Sequence, residues 1–248
     1  MKGGYAMRWI AWAVALTLVA LPVVGVMQGW FAAGRWPIRE LTVSAEYQHV
    51  SAAQIRAAVL PWTGKGFFAT DLDDVQKAVA ALPWVESVEA RKRWPDTLVL
   101  RVYERQPFAH WNADQLISRQ GVLFTAPGSA SLAGLPQLSG PDSRLADVVG
   151  FYARAQRAFA PTGLHVTGIR LSGRDSWALM LDSGAEVVVG NAQPEQRLQR
   201  FLDVYPQLIA GHADRFAYAD LRYPNGFALR WPDPGPAPTD APGGAPRS

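Results

Sequence analysis

The chain has no cysteine among its 248 residues, which excludes disulfide frameworks, thiol catalysis and cysteine-ligated zinc. A cysteine-free chain also suits an oxidising compartment, where a stray thiol is a liability. Histidine is scarce. His49, His110, His165 and His212 are scattered, and none falls in a His-Glu-x-x-His or other ligand-spaced cluster. There is no Gly-x-Ser-x-Gly elbow and no Ser-x-x-Lys pair. No two acidic residues share the strand-end context of glycosidase carboxylates. Gly64-Lys65-Gly66 lacks the spacing of a phosphate loop. The formal charge is only +3, and the densest basic run is Arg91-Lys92-Arg93, short of the stripe a nucleic-acid binder carries. These absences argue against an enzyme with a small-molecule substrate, a cofactor or metal protein, and a nucleic-acid partner.

Apolar residues are abundant, at 49%, enough for a core without staples. One long apolar run, Trp9 to Ala33, holds 25 residues and no charged side chain. At the helical rise it extends about 37 Å, against a hydrocarbon core of about 30 Å. Trp9 and Trp12 at one end and Trp30 and Trp36 at the other suit two interfacial belts. Pro22 is tolerated at mid-span. The run exceeds the 7–15 residues of a signal-peptide core, so a retained single-pass anchor is expected. Residues 1–8 would be cytoplasmic and the remainder would lie outside the cytoplasm.

Beyond the anchor, the pattern predicts a β-α-α-β-β unit over 37–105. Ile38 to Val43 alternates as a strand. Ser51 and Gln54 form a capping box, with Val50 and Ile55 at the staple positions, and Pro61 is expected to stop that helix. Thr70 to Asp73 is a second capping signal, and Leu72, Val75, Val79 and Leu82 share one helical face. Strands follow at Val85–Lys92 and Thr97–Tyr103, joined by Trp94-Pro95-Asp96. A second unit over 106–233 reads as a mainly antiparallel β domain with two helices. Its strands are expected at Phe108–Trp111, Gln115–Ser118, Val122–Phe124, Val166–Leu171, Trp177–Leu181 and Ala185–Val189. The stretch Thr125 to Gly140 reads as a loop, and Asp142 or Ser143 as a helix cap. Pro194 suits the first turn of the second helix, which Pro206 is expected to kink or end. A last hairpin, Phe216–Tyr223 with Phe227–Trp231, would turn at Pro224-Asn225-Gly226. Residues 234–248 are mostly Pro, Gly and Ala, too poor in apolar bulk to pack. The fold class is therefore α+β.

Two long blocks carry a family resemblance. The first comprises Leu82-Pro83-Trp84-Val85, Arg91 to Asp96, Glu104, Pro107 and Trp111-Asn112; the second comprises Phe201 to Pro206 and Tyr218 to Trp231. Together they resemble the FtsQ (DivIB) cell-division family, and the β-α-α-β-β unit resembles a POTRA domain. The resemblance implies a bitopic inner-membrane protein with a periplasmic C-terminus, enriched at the division septum. It implies a non-catalytic scaffold joining early division proteins, FtsK among them, to FtsB and FtsL and so to septal peptidoglycan synthesis. The alternative is another periplasmic POTRA-bearing adaptor or chaperone-like module.

Carried over position by position, the FtsB-contacting segment falls on Tyr223, Asn225, Gly226 and Trp231, with a neighbouring patch at Arg174, Ser176 and Trp177; Arg222 and Phe227 are expected to join the partner-binding surface. A last strand at a sheet edge would offer backbone groups for strand addition, and Tyr223, Phe227 and Trp231 would supply aromatic anchors. Two departures stand out: Pro224 occupies the place of an expected acidic residue, and Asp175 that of a second basic one. The plainer reading of Tyr223, Phe227 and Trp231 is the core face of a hairpin, and that of Asn225-Gly226 a type I′ turn former. Trp84 and Trp94 read as packing residues, and Arg91 to Arg93 as a solvated strand face.

Overall fold

A computed structural model describes residues 3–27, 37–210 and 216–232 and divides the chain into two units, Met1–Gln106 and Pro107–Ser248. Helix α1, Gly3–Met27, carries Pro22 within it. Its described side chains expose Trp12, Val14, Leu16, Leu18, Val19, Leu21, Val23 and Val24. They cover little more than half a bilayer core, and among the described residues no helix is long and apolar enough to cross a membrane. The far end of the expected span, with Trp30 and Trp36, lies outside the described residues, as do His212 and the tail from Asp233.

The rest of the first unit runs β1 (Glu40–Ser44), α2 (Ala52–Thr63), α3 (Leu72–Ala80), β2 (Val85–Arg93) and β3 (Thr97–Glu104). Its sheet has the order β1-β3-β2, with β1 parallel to β3 and β2 antiparallel to it. The capping box forms as the residues dictate: the Ser51 hydroxyl accepts from the Gln54 amide, and the Gln54 side chain accepts from the Ser51 amide. Val50 and Ile55 are both buried, as are Val59, Val75 and Val79 on the helix faces turned to the sheet residues Leu98, Leu100 and Val102.

Two expectations fail here. Pro61 lies inside α2, which runs on to Thr63. The second helix is capped by Asp71, whose carboxylate accepts from the Asp73 amide at 2.8 Å. Thr70 instead turns its hydroxyl back to the Gly66 and Trp62 carbonyls. A short acceptor one residue nearer the helix wins the cap.

Among the described residues the second unit holds nine strands in one sheet, ordered β12-β11-β10-β9-β8-β7-β4-β5-β6. They are β4 (Pro107–Trp111), β5 (Gln115–Ser118), β6 (Leu123–Phe124), β7 (Gln137–Ser139), β8 (Val166–Leu171), β9 (Trp177–Leu181), β10 (Glu186–Gly190), β11 (Tyr218–Asp220) and β12 (Ala228–Arg230). Helices α4 (Leu145–Phe159) and α5 (Pro194–Ile209) pack on β7, β8 and β10. The register lines up one core row across seven strands: Trp111, Leu138, Ile169, Leu179, Val187, Ala219 and Leu229. Against that row lie Val148, Phe151, Ala155 and Phe159 of α4 and Leu198, Phe201, Leu202 and Tyr205 of α5.

Strand β7 arises inside the stretch expected as a loop. It pairs parallel with both β4 and β8, so the sheet is mixed, with a third parallel pair between β10 and β11. A three-residue strand has too few residues to show period-two alternation, and its neighbours in space select it. Gly168 is required at this seam, because a Cβ there would meet the Gln137 carbonyl oxygen at 2.9 Å. Neither Asp142 nor Ser143 caps α4. Asp142 instead accepts the indole N–H of Trp111 at 2.8 Å, which satisfies the polar atom of a fully buried ring. Pro206 lies within α5.

Candidate functional site: the β12 edge and its loop

Strand β12 ends the sheet. It pairs antiparallel with β11, Tyr218 opposite Arg230 and Asp220 opposite Ala228. Among the described residues no strand lies on its other side, which leaves a backbone edge of the kind an extended segment can extend. Side chains alternate along it. Phe227, Leu229 and Trp231 pack partly buried against the core, while Ala228 and Arg230 are exposed. Arg230 lies over the Tyr218 ring, 5.1 Å from its centroid. The Phe227 ring meets Phe201 edge-on at 5.3 Å, within a cluster that includes Tyr205 and Phe216.

The segment from Leu221 to Phe227 links β11 to β12, and it is held from below. Asp220 is only 7% exposed. Its carboxylate accepts from the Arg222 amide at 3.0 Å and from the Arg222 guanidinium at 2.9 and 2.6 Å. Those hydrogen bonds from Arg222 hold its pKa below the ordinary carboxylate value, against the opposing effect of burial. Arg197 of α5 donates to the Val189 carbonyl at 3.0 Å, and Arg200, one turn on, donates to the Pro224 carbonyl at 2.8 Å. Gly190, at φ +86°, sits under this clasp; a Cβ there would meet Arg197 at 2.8 Å and Arg222 at 2.9 Å.

The expected residues are distributed as follows. Tyr223 is the exposed aromatic, at 54%. Phe227 and Trp231 belong mainly to the core face, so the plainer reading holds for them in part. Neither Asn225 nor Gly226 has a positive φ, and the type I′ turn is absent because a seven-residue connection needs no tight reversal. Arg174 is exposed and Ser176 half-buried in the β8–β9 turn, where both amides donate to the Ser172 hydroxyl. Trp177 is not a surface group: it is 7% exposed and its ring lies 4.4 Å from that of Phe151. Trp177 faces Gly190 across the β9–β10 pair, so Arg174 and Ser176 lie at the same end of the sheet as Arg222. Three strand spacings, about 14 Å, separate β9 from β12.

Sequence reasoning missed Asp220, Arg197 and Arg200. Asp-x-Arg at a strand end and Arg-x-x-Arg on a helix are the signals that point to them, since strand residues two apart and helix residues three apart share a side.

Comparison with known proteins gives the family. Residues 36–105 match the family described as "POTRA domain, FtsQ-type", and residues 109–222 match "Cell division protein FtsQ/DivIB, C-terminal". The chain belongs to the FtsQ/DivIB family of cell-division proteins. It is 48% identical to the cell division protein FtsQ of Xanthomonas campestris pv. campestris over 223 residues, covering 90% of this chain and 80% of that one. It is 34% identical to the FtsQ of Aliivibrio fischeri, covering 88% and 87%. The FtsQ of Coxiella burnetii is 31% identical, covering 79% and 80%. Residues 36–105 are thus a POTRA domain of the FtsQ type, and the fold is α+β.

Proposed function

We propose that this FtsQ-family chain is a non-catalytic divisome scaffold, tethered in the bacterial inner membrane by one N-terminal span, with its POTRA and β domains in the periplasm. In this reading it binds FtsB by strand addition on β12 and, through FtsB and FtsL, connects upstream division proteins such as FtsK to septal wall synthesis. The observation that carries the reading is the exposed β12 edge beside a clasped loop that presents Tyr223. An extended segment adding to β12 gains main-chain hydrogen bonds, and alternate side chains provide selectivity. Arg230 and Ala228 border that edge, and Arg174 is exposed at the end of the sheet where Asp220 pairs with Arg222. The apolar helix α1, with eight large exposed side chains among those described, supports the tether.

The test is a titration of the full chain in detergent against a periplasmic FtsB–FtsL complex. Tyr223→Ala is the informative variant, because Trp231 and Phe227 also pack the core. Saturable binding by the parent that weakens 30-fold or more, about 2 kcal/mol, in a folded Tyr223→Ala protein supports the reading. Equal affinity of the two would remove the loop from the interface.

A further inference from the structure

The Trp94-Pro95-Asp96 turn differs from its sequence reading in one respect. Trp84 packs, at 6% exposed, but Trp94 presents 70% of its surface at the tip of the β2–β3 hairpin. Arg93 and Arg91 beside it are also open, with 63% and 75% of their side chains exposed. Lys92 points the other way, over the ring of buried Phe67. The tip is tied to the point where the chain enters the POTRA domain: the Arg39 and Glu40 amides both donate to the Asp96 carbonyl, at 3.0 and 3.4 Å, and Glu40 pairs with Thr97. Arg39 is exposed there as well.

We infer that this hairpin tip is a membrane-contacting surface, with Trp94 seated in the headgroup layer and Arg39, Arg91 and Arg93 directed to lipid phosphates. The inference rests on the proposed membrane tether. Arg39 lies only six positions beyond Ala33, where the apolar run ends, a reach of about 22 Å at most. The headgroup region adds roughly 5–8 Å on each side of the hydrocarbon, so the tip lies within reach of it. An indole suits that layer because its body is apolar and its N–H is polar. Glu40, 4.0 Å from Arg93, and Glu89, 3.3 Å from Arg91, temper the positive charge, so the indole leads the contact. Gln48 is exposed in the loop beyond the opposite end of β1, so in this arrangement it is expected in water.

Because the chain contains no cysteine, single nitroxide labels can be placed at Arg93→Cys, Gln48→Cys and Leu18→Cys in the full chain, reconstituted in phosphatidylethanolamine–phosphatidylglycerol vesicles. Collision with oxygen and with a water-soluble nickel chelate then reports depth. The label at 18 is expected in hydrocarbon, that at 48 in water, and that at 93 between them. Adding Trp94→Ser, with circular dichroism unchanged, is expected to return the label at 93 to the value at 48. If 18 reads as lipid while 93 matches 48 in the parent, the hairpin contact is wrong and the tether stands. If 18 reads as water, the tether fails and the hairpin contact fails with it.

Discussion

Glu104 closes the POTRA sheet, and its replacement has a calculable effect. Its side chain is 3% exposed. One carboxylate oxygen accepts from the His49 amide at 2.9 Å and the other from the Val50 amide at 3.2 Å, and the His49 ring nitrogen lies 3.4 Å away. The imidazole in turn stacks on Trp84 at 3.9 Å. One side chain therefore ties the entry of α2 to the end of β3, across 55 residues of sequence. Glu104→Ala leaves two amides without acceptors. Each costs about 1–3 kcal/mol when water cannot reach it; the half-buried site at His49 rehydrates in part, which gives about 2–5 kcal/mol together.

Glu104→Gln keeps one acceptor oxygen and turns an NH2 toward a donor, which costs about 1–3 kcal/mol. For a domain of this size each kcal/mol lowers Tm by about 4–8 °C. Segment-resolved hydrogen exchange on the full chain is the assay. Peptides from 45–55 and 97–104 should lose protection in the order Ala, Gln, parent. Parent-like protection of 45–55 in Glu104→Ala would refute the clasp.

Three further outcomes are expected. Gly190→Ala forces a Cβ into a left-handed backbone, about 1–2 kcal/mol by itself, and displaces Arg197 and Arg222, so urea unfolding should show a loss of at least that size. Phe159, fully buried on α4, should cost about 3–5 kcal/mol on replacement by Ala, read in the same urea transition. The Asp220 carboxylate, with its pKa depressed by Arg222, adds stability above the unfolded value of about 3.9 and loses it as pH falls through the lower folded value. Asp220→Asn should accordingly be less stable than the parent at pH 7, and the gap should close on acid titration.

The sequence alone determined what rests on local chemistry. The β-α-α-β-β order, the Ser51–Gln54 capping box and the two helices of the β domain follow from periodicity and caps read within a few residues. The family followed from two ordered motif blocks. Tertiary structure decided whatever depends on neighbours distant in the chain. Strand β7 exists because β4 and β8 flank it, and no three-residue segment announces that. Trp177 and Trp94 are the same residue type near strand ends, yet one fills the space beside Phe151 and the other stands in the open. His49 finds Glu104, and Arg200 finds Pro224, only when the sheet and helix bring them together. Hydrogen-bond partners and burial are set by packing in three dimensions, whereas caps and alternation are set along the chain.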